Sequence, residues 1–290
     1  MTSSTDGPRG EVTDWPRGEV TVTQRLIRLA APRGGHLAFA AGPGRAASGY
    51  ADLAASVQAV AAGLAWRGLR PGDAVGVYIP DAARYALATH AVRAAGGVPT
   101  PVAAGLTIPQ IAAQLADCGA RMLLTGPPLA AAALAAADRS WVRQVISFGE
   151  APGAEPSGAI PAEALSAAGI LTAAAASPQD RALLPYVRKP DGGLAADPVS
   201  HEDMARVLRG LDSGATLREE DVVVAAPPAG DGRWYTLLLD HALLCGATVV
   251  AAGTSDLAAA AEVHHATAVI RAGGMAVGGR ERPRVLAVAP

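Results

Sequence analysis

The sequence predicts an α/β protein of layered sheets with flanking helices, and three observations lead there. Short apolar runs bounded by Gly, Pro or charged residues recur along most of the chain. Longer Ala- and Leu-rich stretches with apolar residues at helical spacing stand between them, and alternation of this kind favours sheets covered by helices. With 290 residues, 50% hydrophobic and 17% charged, the chain can bury a sizeable core in one large or two smaller domains.

Residues 1–20 repeat "PRGEV" at 8–12 and 16–20, offer no apolar face, and read as a flexible tail. From Tyr50, the residues Leu53, Val57, Val60 and Leu64 recur at helical spacing; "RGLRPGD" turns the chain into a strand, "AVGVYI" (74–79). "AARYALATHAVRAAG" is a helix ended by Gly96 and Gly97, and "VPTPV" a short extended segment. Thr107 with Gln110 three residues on is a capping box opening a helix over 107–117. "RMLLT" (121–125) and "VRQVISF" read as strands around the helix "PLAAAALAAAD".

The Pro/Gly-rich stretch 150–162 reads as a connector dividing a first α/β subdomain, 21–160, from a second, 161–290. Beyond it the pattern gives a helix over 162–168, a loop-bearing stretch, and a helix from Ser200. Strand 221–226, helix 234–245, strand 247–252, helix 255–264 and strand 266–270 follow. "RAGGMAVGG" (271–279) has closely spaced glycines but lacks the strand-loop-helix context of a dinucleotide site, so it reads as a flexible connection.

A net charge of -2 leaves no basic excess for phosphate neutralisation along a polynucleotide, which argues against nucleic acid as a partner. No run approaches the roughly 20 apolar residues that span a bilayer, and the N-terminus lacks a basic start and an apolar signal core. The expectation is a cytoplasmic protein without a membrane partner. Cys118 and Cys245 form no metal-spaced pair and read as small buried apolar residues. His241 and Cys245, at i and i+4, could share a helix face, but two ligands fall short of a metal site, so none is expected. The adjacent His264 and His265 would point opposite ways in an extended stretch.

"LLPYVRKPDGGLAADPVSHEDM" (183–204) frames a phosphate-binding loop between a strand and a helix. Together with "GYADLAASVQAVAAGLAWRGLRPGDAVGVYI", "GLTIPQIAAQLADCGARMLLT" and "CGATVVAAG", it resembles the adenylate-forming superfamily, in particular acyl- and aryl-CoA ligases of the 4-coumarate-CoA ligase kind. The resemblance covers roughly 22–270 and implies the fold of those enzymes' N-terminal subdomains. The family's phosphate loop reads approximately "YSSGTTGxPKGV", small hydroxyl residues and glycines whose N–H groups wrap ATP phosphates while a Lys adds charge. Tyr186 takes the Tyr of that pattern, Gly192 its second Gly, and Ser200 and His201 the Thr-His that opens the next helix.

Between those anchors the resemblance breaks. Val187, Arg188, Lys189, Pro190 and Asp191 occupy the hydroxyl and glycine positions, and Ala195 and Ala196 those of the Lys and final Gly. Pro190 removes an N–H, and Asp191 places a carboxylate where a polyphosphate would lie. Arg188 and Lys189 could supply charge from another direction, with Gly192 and Gly193 keeping a flexible turn; the plain alternative is a solvated loop. At 227–233, "PPAGDGR" replaces an aromatic-His pair, leaving Asp231 as a general base, a cation ligand or simply a turn residue. The family's later adenine, ribose and Mg motifs and its catalytic Lys domain do not occur before Pro290.

The expectation is therefore a truncated, non-catalytic homologue, a binding or interaction protein for an acyl or aryl small molecule, a carrier protein or a partner enzyme. No cofactor is expected, with ATP or AMP and Mg entering only if the loop 185–197 has been rebuilt. Association follows too, as a homo-oligomer or a heterocomplex with a ligase, carrier protein or pathway enzyme. The opposing expectation is an active enzyme, either half of a split ligase or a fold put to another reaction through Asp231, Arg233 and His201. "SHED" also has the bland reading of Ser200 as N-cap with Asp203 as the acidic third residue.

Overall fold

The computed structural model describes residues 21–42, 45–149, 158–165, 176–190, 192–214, 217–227, 232–271, 274–279 and 282–286. The first half runs α1 (Val22–Arg33), β1 (Leu37–Phe39), β2 (Ser48–Gly49), α2 (Tyr50–Trp66), β3 (Ala74–Tyr78) and α3 (Ala82–Ala94). It continues through β4 (Val98–Pro101), α4 (Ile108–Asp117), β5 (Met122–Thr125), α5 (Ala130–Ala137), β6 (Gln144–Ser147) and β7 (Ile160–Pro161). Next come β8 (Arg181–Leu183), β9 (Tyr186–Arg188), β10 (Leu194–Ala196), β11 (Val199–Ser200), α6 (His201–Gly214) and β12 (Val222–Ala225). The chain closes with α7 (Gly232–Cys245), β13 (Thr248–Ala251), α8 (Leu257–Val263), β14 (Ala268–Arg271), β15 (Gly274–Gly279) and β16 (Arg282–Leu286).

The α/β class holds. One five-stranded sheet has the order β4-β3-β5-β6-β7, every pair parallel. Its strands, buried on both faces, carry continuous apolar runs such as "MLLT" rather than alternation. A seven-stranded sheet has the order β16-β15-β14-β12-β13-β1-β2, parallel from β14 to β1 and antiparallel outside. β1 and β2 come from the first half of the chain yet complete the sheet built by the second. One buried cluster takes in Leu53, Leu64, Val77 and Ile79 with Val223, Leu237, Leu243 and Val249, so helices α2, α3 and α7 share a core between the sheets. The Tyr50 hydroxyl at the start of α2 donates to the Ala247 carbonyl at 2.8 Å just before β13.

Local chemistry sets the helix starts. Thr21 Oγ1 accepts from the Gln24 N–H at 3.0 Å while Gln24 Oε1 accepts from the Thr21 N–H at 3.1 Å, a reciprocal cap on α1. Gln110 Oε1 accepts from the Thr107 N–H at 3.0 Å, as the pattern ahead of α4 requires. None of the helices among the described residues is long and apolar enough to cross a membrane.

Several expectations need correction. α1, β1 and β2 precede Tyr50, where the periodicity was too weak to mark them. The helix expected over 162–168 is a 3-10 turn at Ala162–Leu165, and its remainder lies outside the described residues. The connector ends in β7, which pairs with β6; its residues 150–157, like the tail 1–20, lie outside the described residues. Of the glycine-rich 271–279, read as a flexible connection, Arg271 ends β14 and Gly274–Gly279 form β15 between β14 and β16, because partners on both sides override glycine's poor strand propensity; residues 272–273 lie outside the described residues. His264 and His265 lie in the turn after α8, with His265 at φ 50°, and not in an extended stretch.

Candidate functional site

The stretch aligned with a phosphate loop folds as a hairpin. β9 and β10 are antiparallel, pairing Leu194 with Arg188, Ala195 with Val187 and Ala196 with Tyr186. At the tip the Lys189 N–H donates to the Gly193 carbonyl at 2.8 Å and the Gly192 N–H to the Lys189 carbonyl at 2.9 Å. Gly192 holds φ +83° with open space around it, so glycine serves the left-handed turn there. Arg188 and Lys189 are exposed, and Arg188 Nη1 donates to the Gly192 carbonyl at 3.4 Å. Asp191 lies outside the described residues. This turn uses two N–H groups within itself, and Pro190 has none to offer.

The base of the hairpin is anchored on two sides. The Tyr186 hydroxyl donates to Asp117 Oδ2 at the end of α4, and burial together with that carboxylate raises the phenol's pKa. Past β10, Asp197 Oδ2 accepts from Arg233 Nη1 at 2.6 Å, which ties the hairpin to the first turn of α7. Gly232 lets α7 approach β4 closely, since a Cβ there would lie 2.3 Å from Pro101 Cβ. Arg233 is thus a brace in an ion pair; Asp231 lies outside the described residues.

Ser200 and His201 open α6. Ser200 Oγ accepts from the Asp203 N–H at 3.0 Å and donates to Asp203 Oδ2 at 2.7 Å. These bonds, with Arg206 Nη1 at 2.6 Å, hold the Asp203 carboxyl below its ordinary pKa. His201 is 6% exposed; burial, and then the nearby Arg93 charge, push its pKa down to about 4. The "SHED" motif is a helix start, with its imidazole turned into the core.

Beside the hairpin lies a cleft of about 370 Å3 lined by Pro101, Leu106, Gln114, Tyr186, Arg188 and Leu194 among others. Gln114 Nε2 donates to Thr100 Oγ1 at 3.0 Å and to the Pro101 carbonyl at 2.9 Å, so its amide is fixed. Apolar walls and a guanidinium suit a small molecule with an apolar body and an anionic end, while Gln114, both its N–H groups spent, has only its carbonyl oxygen left to accept. Of the sequence candidates, Arg188 alone lines this cleft; Lys189, Gly192 and Gly193 stand at the hairpin tip, and Ser200, His201 and Arg233 elsewhere. Leu106, Gln114 and Asp117 were not singled out from the sequence, because only the packing of α4 against the hairpin gives them a role.

A second polar cluster was also unmarked. Thr23 Oγ1 lies 2.9 Å from His90 Nδ1, His90 Nε2 3.3 Å from Asp240 Oδ1, and Asp240 Oδ2 2.9 Å from Arg93 Nη1. Arg93 Nε also donates to the Ala182 carbonyl at 3.0 Å. Hydroxyl, imidazole and carboxylate stand in the order of an acyl-transfer triad. Thr23 and His90 are each 1% exposed and Asp240 2%, so no substrate reaches them; the cluster clamps α1, α3, α7 and β8 together. Among the described residues no group of three or more His, Cys, Asp or Glu could hold a metal, and Cys245 Sγ lies 3.8 Å from His241 Nδ1 within buried α7.

The sequence pattern of the family described as "AMP-binding enzyme" matches residues 28–276. 4-coumarate--CoA ligase 5 of Oryza sativa subsp. japonica is 28% identical over 207 residues, covering 68% of this chain and 36% of that protein. The apo structure of MbtA from Mycobacterium smegmatis superposes with a TM-score of 0.74 at 25% identity, over 86% of this chain and 47% of that one. A long-chain-fatty-acid-CoA ligase (FadD1) from Archaeoglobus fulgidus gives 0.72 at 18% identity, over 85% of this chain and 50% of its own, a likeness of fold. The chain spans about half the length of these two solved structures and 36% of the rice protein.

Proposed function

Because the chain belongs to the AMP-binding enzyme family, we propose that it uses the fold of an acyl- or aryl-CoA ligase for binding and does not adenylate by itself. The observation that carries this reading is the hairpin tip. Where the family resemblance calls for N–H groups open to phosphate, those of Lys189 and Gly192 bond within the turn, and Ala195 and Ala196 pair in a strand. The residues present do not fit a polyphosphate cradled by backbone donors. The cleft beside the tip suits one aryl or short acyl carboxylate, with Arg188 on its anionic end. A ligase, carrier protein or pathway enzyme in complex with this chain would supply or take up that molecule.

A second reading rests on one observation: Arg188 and Lys189 are both exposed on the hairpin next to the cleft. Two cations there could hold phosphate without the backbone and serve an adenylating enzyme, alone or with a partner chain. Calorimetry of ATP·Mg against the wild type and an Arg188→Ala, Lys189→Ala double variant separates the readings. No heat of binding at millimolar ATP is the expected result. Binding that the double variant abolishes would replace the first reading with the second.

A further inference from the structure

A basic face bearing two tryptophans lies at the N-terminal ends of the five-stranded sheet. α2 ends on Trp66, 76% exposed, and Trp141, 66% exposed, stands three residues before β6. Around them the turn before β3 supplies Arg67 and Arg70, the residue before β5 is Arg121, and the stretch from α5 to β6 supplies Arg139 and Arg143. The strand order β3-β5-β6 brings these connections side by side. Hydrogen bonds to backbone carbonyls fix them there, with the side-chain Gln144 Nε2 donating to the Arg67 carbonyl at 3.1 Å and the Arg143 N–H to the Arg121 carbonyl at 2.8 Å.

The charge on this face is not neutralised locally. Among the described residues none of the five arginines joins an ion pair, and Arg67 lies over the Trp66 ring at 5.9 Å. Three acids stand nearby: Asp73, which accepts from the Arg70 N–H at 3.0 Å, Asp117, which accepts from the Tyr186 hydroxyl, and the exposed Asp138, so the five arginines keep a positive excess. Tryptophan and arginine are the residue types that dominate binding energy where proteins meet. Ordinary solvated surface carries no reason to set two bare indoles among unpaired guanidinium groups.

We propose that this face docks an acidic segment of a partner protein, an amphipathic helix whose carboxylates meet the arginines while its apolar residues cover Trp66 and Trp141. The five guanidinium groups of this face can each meet a carboxylate in a bidentate way. The whole chain carries -2, so an extended polyanion such as a lipid surface or a nucleic acid meets overall repulsion, whereas a short helix senses the local field alone within a Debye length of about 8 Å. The cleft is lined by Pro101 and Ala103 at the C-terminal end of β4, whereas Trp66 and Trp141 precede β3 and β6 at the N-terminal ends of the strands, so both sites can be filled at once. The proposal holds whether or not this chain adenylates.

The test uses the full chain and a fluorescein-labelled synthetic amphipathic helix with glutamates on one face and leucines on the other, followed by anisotropy. Binding that weakens with added salt is expected. Trp66→Ala and the pair Arg121→Glu, Arg143→Glu should each weaken it about tenfold, with the thermal midpoint unchanged because these side chains are exposed. A peptide with lysines for glutamates should not bind. Failure of the acidic peptide to bind, or equal binding by the variants, would overturn the proposal. So would tighter, variant-sensitive binding to phosphatidylserine vesicles or to a single-stranded oligonucleotide, which would assign the face to that class instead.

Discussion

At Asp240 two opposing effects meet on one side chain. Burial pushes its carboxyl up, but the Arg93 guanidinium and His90 outweigh that and hold it below the ordinary carboxylate range. Removing one member of such a buried pair costs about 3–5 kcal/mol, since the other charge stays in a medium that solvates it poorly. His201 feels the same Arg93 charge, which the Asp180 carboxylate offsets only in part, and its Nδ1 has no hydrogen-bond partner among the described residues. Its folded pKa of about 4 lies below the ordinary 6.5, so between those values the unfolded chain binds a proton that the folded one refuses. Stability from this residue is full above pH 6.5 and is lost as pH falls towards 4, up to about 3 kcal/mol. Urea unfolding across that window should show the slope in the wild type and a flatter one in His201→Leu; equal slopes would mean that His201 does not titrate as described. The sequence marked His201 as a helix start, which it is, but its lowered pKa comes from burial and from the charge of Arg93, a residue far away in the chain.

At the scale of elements, legibility followed the strength of local pattern. β3, β5 and β12 are apolar runs between helices, and α2, α4 and α7 show apolar residues at helical spacing, so both were readable. α1 was not, since its sequence "VTQRLIRLAAPR" mixes arginine among the apolar residues, and its cap lies on the hydroxyl of Thr21. The β9–β10 hairpin was framed as a phosphate loop because its chain order is that of one, while the pairing that closes its tip is a non-adjacent contact. Packing between elements yields a test at Gly63 in α2. Alanine there gains about 1 kcal/mol of helix propensity. Its Cβ, however, would lie 2.4 Å from the Leu165 carbonyl oxygen, a backbone atom that cannot turn aside. Overpacking of this kind costs about 1–3 kcal/mol, so Gly63→Ala should lower the urea midpoint with m unchanged. Gly210→Ala in α6, with nothing within 4 Å, should raise it by the propensity term. If both variants shifted the midpoint upward, the close approach of α2 to Leu165 would be wrong.

For the molecule as a whole, the connector near residue 160 invites a picture of two independent subdomains, while the core joins what lies on either side of it. β1 and β2 pair onto β13 and each other in the seven-stranded sheet, and the buried cluster runs without a break from Val57 and Val77 to Leu237 and Val249. The clamp of Thr23, His90, Asp240 and Arg93 joins helices drawn from both halves. Unfolding either half would therefore expose apolar surface of the other and strand a buried charge, so the halves should not melt apart. Scanning calorimetry should show one transition whose calorimetric and van't Hoff enthalpies agree, on the order of 200 kcal/mol at about 0.7 kcal/mol per residue. Near-ultraviolet circular dichroism should trace the same midpoint, because the buried Tyr50 and Tyr85 report on the first half and the half-buried Trp234 on the second. Two resolved transitions, or an early loss of the Trp234 signal alone, would show that the contacts across the shared core are too weak to couple the halves; the cleft, walled by β4 and the β9–β10 hairpin, would then open before the protein unfolds.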